Sequence, residues 1–150
     1  MIVDKLWGYE SVIVNNDLYC GKVLTVLDNG KCCSIHYHKE KTETFYVIEG
    51  NLVIMLATRK DKLSESIYDF NDPIIRILDV GDSVTVHPYT AHRFFVYNPE
   101  VLLDYRARFI EFSTTDYGDD SIRLIESGDI DEHVLDALEN GHKSCAWVEK

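Results

Sequence analysis

Short apolar runs separated by turn residues recur along most of the chain. They predict strands at 11–14, 18–27, 31–38, 44–49, 51–57, 74–78, 83–87, 92–97 and 101–112. Turn signals such as Asp28-Asn29-Gly30 divide these runs, and Glu49-Gly50-Asn51 is interpreted as a tight hairpin. Residues 58–73 are polar and charged and are expected to form a long loop. Many short strands with frequent turns indicate an all-β sandwich or barrel.

The last part of the chain has a helical period instead. Acidic residues crowd the start of the segment 129–140, and Gly141 follows its end, as helix termini prefer. The segment is therefore predicted to be an amphipathic helix packed on the outside of the strands. Its apolar face is formed by Ile130, Val134, Leu135 and Leu138. His133 and His142 lie on or near this helix and are expected to be solvated.

Several predicted strands are apolar on both faces, most clearly the run 52–56. In a sheet with one solvated face this pattern would be unusual. It predicts that a second sheet, an extra N-terminal strand or a partner subunit covers the outer face. Because a small β domain also has open edge strands, we expect a homodimer.

The composition narrows the class of protein. The 150 residues suffice for one domain, 1–150, with a core at about 18–112. A net charge of −11 disfavours binding to nucleic acid or to anionic membranes, and no apolar run is long enough to span a bilayer. No secretory signal is visible at the start, so a cytoplasmic location is the default expectation. The four cysteines lack zinc-site spacing and are expected to be reduced thiols, at positions Cys20, Cys32, Cys33 and Cys145.

Two histidines and a carboxylate stand at a spacing that suits a metal. The pattern is Gly30-x5-His36-x-His38-x4-Glu43-x6-Gly50. Alternate strand residues share a face, so His36 and His38 point the same way. We expect a hairpin to bring Glu43 back towards them. Three converging nitrogen and oxygen donors predict a divalent metal site.

A second block, Gly81-x5-His87-Pro88-x3-His92, follows the first. Together the two blocks resemble the paired motifs of the cupin superfamily. The resemblance implies a double-stranded β-helix, or jelly-roll barrel, followed here by the C-terminal helix. It also implies one metal ion, Mn, Zn, Fe, Ni or Co, with ligands His36, His38, Glu43 and His92.

Three further stretches look like the type II mannose-6-phosphate isomerase group of cupins. They are Trp7-Gly8 near the start, Lys22 ahead of the first motif, and the closing segment from Glu111 to Arg123. This resemblance implies a metal-dependent isomerase or epimerase that acts on a sugar or sugar phosphate. Its metal would polarise the substrate oxygens while a base moves a proton between carbons.

Roles for individual residues follow from this interpretation. Lys22 is the candidate base, because burial beside a cation lowers a lysine pKa, and a strand-surface charge is the alternative. Glu43 is assigned to both the metal and the catalytic centre. A phosphorylated substrate would need a cation at the site. Arg93 shares no face with His92, which leaves Arg106 and Arg108 as the candidate substrate-binding residues.

Two other functions fit the same ligands. Iron-dependent cupin dioxygenases use three histidines and one glutamate, and open iron positions can activate oxygen. A non-enzymatic cupin that binds a metal or a small ligand is the third possibility, since one fold can carry unrelated chemistries.

Overall fold

The computed structural model of the protein describes residues 1–57, 73–140 and 147–149. Most of the predicted loop 58–73, together with Gly141, His142 and Cys145, lies outside the described residues. The strands of the first half are β1 Ile2–Lys5, β2 Gly8–Asn15, β3 Cys20–Leu27, β4 Lys31–Cys32, β5 Ile35–His38, β6 Glu43–Glu49 and β7 Leu52–Ala57. Those of the second half, with one helix, are β8 Ile74–Leu78, β9 Ser83–Val86, β10 Ala91–Phe95, β11 Arg106–Ser113, β12 Ser121–Ile125, β13 Gly128–Asp129, α1 Glu132–Asn140 and β14 Trp147–Glu149.

These strands form two six-stranded sheets and one small ribbon. Sheet I has the order β1-β2-β3-β11-β6-β9, and sheet II has the order β12-β5-β10-β7-β8-β14. The ribbon pairs β13 with β4. The described pairings are antiparallel, with the exception of β14 beside β8. The all-β architecture predicted from the sequence is confirmed.

The main core lies between the two sheets. Phe45 and Phe109 come from sheet I, and Phe94 comes from sheet II. Their rings meet edge to face, with centroids 5.0 Å apart for Phe45 and Phe109 and 5.1 Å apart for Phe94 and Phe109. Such aromatic pairs add roughly 0.5–1.5 kcal/mol beyond their buried area. The two sheets are therefore joined by one contiguous aromatic and aliphatic layer.

The predicted hairpin at residues 49–51 is wrong. β6 belongs to sheet I and β7 to sheet II, so the chain passes from one sheet to the other at Gly50. Gly50 has φ of +70°, and a Cβ there would lie 2.3 Å from the carbonyl oxygen of Arg106. Local turn chemistry cannot distinguish a hairpin from such a crossing, because both need a left-handed residue.

The outer face of sheet II is covered by the C-terminal helix. The apolar side chains of α1 and of Ile130 pack on Val53, Ile75 and Phe95. This explains why β7 is apolar on both faces, since Leu52 and Ile54 face the main core. The predicted amphipathic helix is confirmed, although it begins at Glu132 and Gly128–Asp129 is a short strand instead.

Other predicted boundaries shift. β1 is an additional N-terminal strand, and residues 101–105 precede β11 without being a strand. The segment 31–38 is divided into β4 and β5. The described cysteines Cys20, Cys32 and Cys33 are buried free thiols, as expected.

Candidate metal centre

Two strands of sheet II supply the three histidines. His36 and His38 lie on β5, and His92 on β10 stands directly opposite His36 in the antiparallel register. Side chains that face each other across neighbouring strands come within contact distance. The His36 and His92 ring centroids are accordingly 4.4 Å apart.

Glu43 reaches the same point from sheet I, where it is the first residue of β6. One ligand atom from each of His36, His38, Glu43 and His92 lies within 4.8 Å of the others. The expectation that the four side chains converge is met, but the hairpin proposed for β5 and β6 is wrong. Glu43 faces the histidines because sheet I packs against sheet II.

Backbone hydrogen bonds hold two of the imidazoles in one tautomer. Nδ1 of His36 lies 3.1 Å from the carbonyl oxygen of Ser34, and Nδ1 of His92 lies 3.1 Å from that of Thr90. A carbonyl oxygen only accepts, so these contacts favour the proton on Nδ1 of both rings, and the Ser34 hydroxyl, 3.0 Å from Nδ1 of His36, can accept from it as well. The lone pair of Nε2 is then free for a metal, an arrangement that is common around metal-binding histidines.

Two of the donors, Glu43 and His92, are buried with ligand atoms that lack hydrogen-bond partners. Glu43 is 2% exposed and His92 is 1% exposed. Oε1 of Glu43 and Nε2 of His92 are 2.7 Å apart but do not align as a hydrogen bond, and both atoms lack a hydrogen-bond partner. Buried polar atoms without partners are costly. A divalent cation bound to these donors would satisfy both atoms, so the residues present fit a metal.

The electrostatics also suit a cation. Burial, reinforced by the neighbouring His92, lowers the pKa of His36 well below 6.5. Burial likewise lowers the pKa of His38. For Glu43, burial alone would raise the pKa, but His92, Lys41 and His38 outweigh it and lower the pKa. Neutral imidazoles and an ionised carboxylate are the forms that bind a metal.

Lys41 is a buried cation that holds Glu43 in place, although the sequence suggested only a polar loop there. Its Nζ lies 2.8 Å from Oε2 of Glu43 and 2.6 Å from Oε1 of Glu111. Ser113 donates a second hydrogen bond to the same oxygen of Glu111. Oε2 of Glu43 is thus engaged, and Oε1 is the oxygen that faces the histidines.

Asp120 organises the loop that carries Lys41. Its carboxylate accepts hydrogen bonds from the backbone N–H groups of Lys39, Glu40 and Lys41. One of its oxygens also lies 3.8 Å from Nδ1 of His38. The acidic turn before β12 therefore fixes the loop between His38 and Glu43. The two segments are about 80 residues apart in the sequence, so no local pattern reveals this contact.

The four donors line a polar cavity of about 250 Å³. Trp7, Glu10, Lys22 and Asp116 lie on its other walls. Lys22 forms an ion pair with Asp116 and lies 3.8 Å from Glu10. Burial alone would lower the pKa of Lys22, but the carboxylates of Glu111, Asp116 and Glu10 outweigh it and raise the pKa. The carboxylates around the ammonium group thus raise the pKa of Lys22, whereas the sequence predicted a lowered pKa beside a bound cation.

Arg106 and Arg108 do not reach this cavity. They alternate with the buried residues Ala107 and Phe109 on β11 and so face away from the main core. Arg106 lies 2.8 Å from Glu49 on the outer surface, and Arg108 lies 3.6 Å from the same side chain. The prediction that they bind substrate is therefore not supported by their placement. Arg93 faces away from the metal centre, as expected, but it is buried.

Comparison with known proteins establishes the fold. No protein-family model matches the sequence, and no curated protein matches it significantly. Among solved structures, the capsular polysaccharide assembling protein CapF from Staphylococcus aureus superposes with a TM-score of 0.64 at 18% identity. The match covers 83% of this chain and 34% of that chain. CapF and several other matching structures are cupin-fold proteins. The chain has the cupin fold.

Two further solved structures are similar to this chain. KdgF from Halomonas sp. matches this chain with a TM-score of 0.55 at 17% identity, over 79% of this chain and 91% of that chain. The hydroxypropylphosphonic acid epoxidase from S. wedmorenis matches with a TM-score of 0.53 at 20% identity, over 75% and 53%. This chain thus spans about a third of the length of CapF and about half that of the epoxidase. At such identities the likeness extends to the fold alone.

Among the described residues, the helix lacks the length and the apolar character that a membrane-spanning helix needs.

Proposed function

We propose that this cupin is a metal-dependent isomerase or epimerase that acts on a sugar in the cytoplasm. The observation that carries the proposal is the position of the four donors on the wall of a polar cavity that also contains charged side chains. Its volume of about 250 Å³ suits one sugar ring. The resemblance of Trp7-Gly8, Lys22 and the closing segment to sugar-phosphate isomerase cupins points the same way.

His36, His38, Glu43 and His92 would hold one divalent transition metal, drawn from Mn, Zn, Fe, Ni and Co. Bound there, the metal would supply Lewis acidity towards the oxygens of the substrate. Glu43 contributes as a ligand through Oε1, because Lys41 engages its other oxygen.

The other charged side chains of the cavity have two roles, hydrogen bonding to the substrate and proton transfer. Lys22 stays protonated, so its role is to donate a hydrogen bond to a substrate oxygen rather than to accept a proton. The carboxylates of Glu10 and Asp116 line the same cavity and are proton acceptors. One of them takes the proton from C2 of an aldose and returns it to C1, while the hydroxyl proton of O2 passes to O1, and the product is the ketose.

The charges of the cavity favour an unphosphorylated sugar. A phosphate dianion in a low-dielectric pocket needs a fixed cationic partner. The cations that line the cavity are each already paired with a carboxylate: Lys5 with Glu10, Lys22 with Asp116, Lys41 with Glu43, and Arg123 with Glu126. Arg106 and Arg108 lie outside it, and the net charge of −11 opposes an anionic substrate. CapF, a capsular polysaccharide assembling protein, is consistent with sugar chemistry on this fold.

The proposal is tested by incubating the metal-loaded protein with a panel of aldoses and ketoses in deuterated water. Incorporation of deuterium at C1 or C2 is measured by NMR, with each of the five metals in turn. We expect exchange with at least one free sugar, lost in His38→Ala and reduced on the order of 100-fold or more in Asp116→Asn or Glu10→Gln. Arg108→Gln is the matched control and should retain full activity. Absence of exchange with every sugar and metal would contradict the proposal.

An iron-dependent oxygenase is the second candidate. It is supported by the three-histidine, one-glutamate donor set and by the likeness to a structure described as FeII HppE, of 19% identity and TM-score 0.52. Oxygen uptake by the Fe(II)-loaded protein in the presence of the same substrate panel tests this alternative. If stoichiometric metal binding is accompanied by neither deuterium exchange nor oxygen uptake, a non-enzymatic metal- or ligand-binding role is favoured.

A further inference from the structure

A second cavity lies on the opposite side of sheet II from the metal centre. It occupies about 620 Å³ between the sheet and the C-terminal helix. Cavities that bind small molecules in proteins commonly have volumes of about 300–1,000 Å³ and are mostly apolar. The walls of this one are largely aliphatic and aromatic, including Met55, Ile75, Phe95, Ile130, Val134 and Ala137.

Arg93 is the charged side chain at the sheet side of this cavity. It is 8% exposed, and it lines the cavity from the middle of β10. Its Nε donates to the carbonyl oxygen of Cys33 at 2.7 Å, and its Nη2 donates to that of Glu126 at 3.0 Å. Among the described residues, Arg93 makes no ion pair. Two carboxylates that line the same cavity, Glu126 and Asp129, pair instead with Arg123 and Lys31.

A buried guanidinium without a carboxylate is unusual. Charged side chains are rarely buried unless they are paired, because the loss of hydration is expensive. The two backbone carbonyls satisfy two of the five N–H donors, but they carry no negative charge to offset the cation. Nη1 has no acceptor in the part of the chain that the structure describes. The Nη1/Nη2 edge therefore retains the geometry that binds a carboxylate in a bidentate manner.

The apolar walls of the cavity and its acidic residues restrict the size of the ligand's charge and the nature of its body. The apolar walls require an aliphatic or aromatic body. Glu126, Asp129 and Asp131 also line the cavity, and their charges would repel a dianion more than a monoanion. A ligand with an apolar body and a single carboxylate meets both conditions, because its one negative charge neutralises Arg93.

We propose that this cavity binds a small monocarboxylate with an apolar body, such as a medium-chain fatty acid. Its carboxylate pairs with Arg93, and its chain contacts Met55, Phe95 and Val134. The site is separate from the metal centre, because Arg93 and His92 are consecutive residues on β10 and point to opposite faces of sheet II. The proposal does not depend on the sugar chemistry proposed above.

The test compares decanoate with decanol by isothermal titration calorimetry at neutral pH on the metal-loaded protein. The two probes share one chain and differ in the charge of the head group. We expect decanoate to bind and decanol to bind at least 10-fold more weakly. Arg93→Met should weaken decanoate binding about 10- to 100-fold and leave the weak binding of decanol unchanged. Arg108→Met, the same substitution at an arginine on the opposite sheet, should have no effect.

Ala137→Phe tests the same binding site without changing Arg93. It places a ring into the cavity from the helix side, and it should abolish binding of both probes without altering the metal content. Circular dichroism and the metal content of each variant verify that it is folded. The proposal is overturned if the native protein binds neither probe or both equally well, or if Ala137→Phe binds decanoate with native affinity.

Discussion

Nζ of Lys41 lies 2.8 Å from Oε2 of Glu43, and both side chains are at most 5% exposed. The same ammonium lies 2.6 Å from Oε1 of Glu111, so one buried cation joins a metal-ligand carboxylate to a second buried carboxylate. Burial and the charge of Glu43 raise the pKa of Glu111, and the two carboxylates together keep the pKa of Lys41 above its usual value. Glu43 is thereby left with a single free oxygen for a metal.

Replacing Lys41 with methionine should destabilise the protein strongly. The substitution preserves length and apolar volume but leaves Glu43 and Glu111 buried without their cation. Breaking a buried pair in this way costs about 3–5 kcal/mol. Urea unfolding at neutral pH measures the loss. Lys31→Met is the matched control, because Lys31 pairs with the largely exposed Asp129, and a surface pair contributes about 0–1 kcal/mol. Equal losses in the two variants would contradict the inferred role of Lys41.

Removing one imidazole from the centre should remove the metal. His92→Ala deletes a donor whose Nε2 is buried and without a hydrogen-bond partner. We expect metal affinity to fall by on the order of 100-fold or more, measured by competition with a chelator and by elemental analysis. His133→Ala alters an exposed histidine on α1 and should leave affinity unchanged. Full metal stoichiometry in single alanine variants of all four donors would show that the ion binds elsewhere.

The stability of the metal-free protein should fall as the pH falls below about 7. The folded-state pKa values of His36 and His38 are lowered, so near and below the ordinary histidine pKa of 6.5 the unfolded chain binds more protons than the folded chain. Stability then decreases with decreasing pH, by about 1.4 kcal/mol per pH unit for each such proton. The urea midpoint between about pH 7.5 and 5.5 measures the effect. His36→Asn should flatten the dependence, whereas an unchanged slope would contradict it.

Gly50 should tolerate no side chain. It combines a φ of +70° with a Cβ position 2.3 Å from the backbone of Arg106. Gly50→Ala is therefore expected to cost more than the roughly 1–3 kcal/mol of an unfavourable backbone conformation alone. Gly30→Ala isolates the conformational part, because Gly30 has φ of +72° but open space around it, and Gly118→Ala tests open space without a positive φ. Thermal unfolding should rank the losses in the order Gly50, Gly30, Gly118, and any other order would contradict this account.

A homodimer remains a prediction, and the structure supplies a different reason to expect it. The outer face of sheet II is covered by α1, but the outer face of sheet I exposes Ile13, Tyr46 and Phe112. Exposed apolar patches and open edge strands favour association. Light scattering is expected to give about twice the 17.3 kDa of one chain, and Phe112→Asp should shift the protein towards the monomer. A monomer of the native protein at micromolar concentration would contradict the prediction.

The sequence by itself determined the strand-rich architecture, the C-terminal helix and the identity of the candidate ligands. Period-two and period-3.6 patterns report local conformation, because side-chain direction repeats along each element. The positions of His36 and His38 follow from strand alternation alone. Turn glycines such as Gly50 were recognised for the same reason, since a left-handed conformation is a local requirement.

Only the tertiary structure decided which strands are neighbours and which charges meet. Glu43 faces the histidines from the other sheet, and Lys41 is buried although its loop is rich in charged residues. The pKa of Lys22 is raised because Glu10, Glu111 and Asp116 come from β2, β11 and the segment beyond β11. Such couplings depend on distances of a few ångströms between residues far apart in sequence, and a one-dimensional pattern carries no information about those distances.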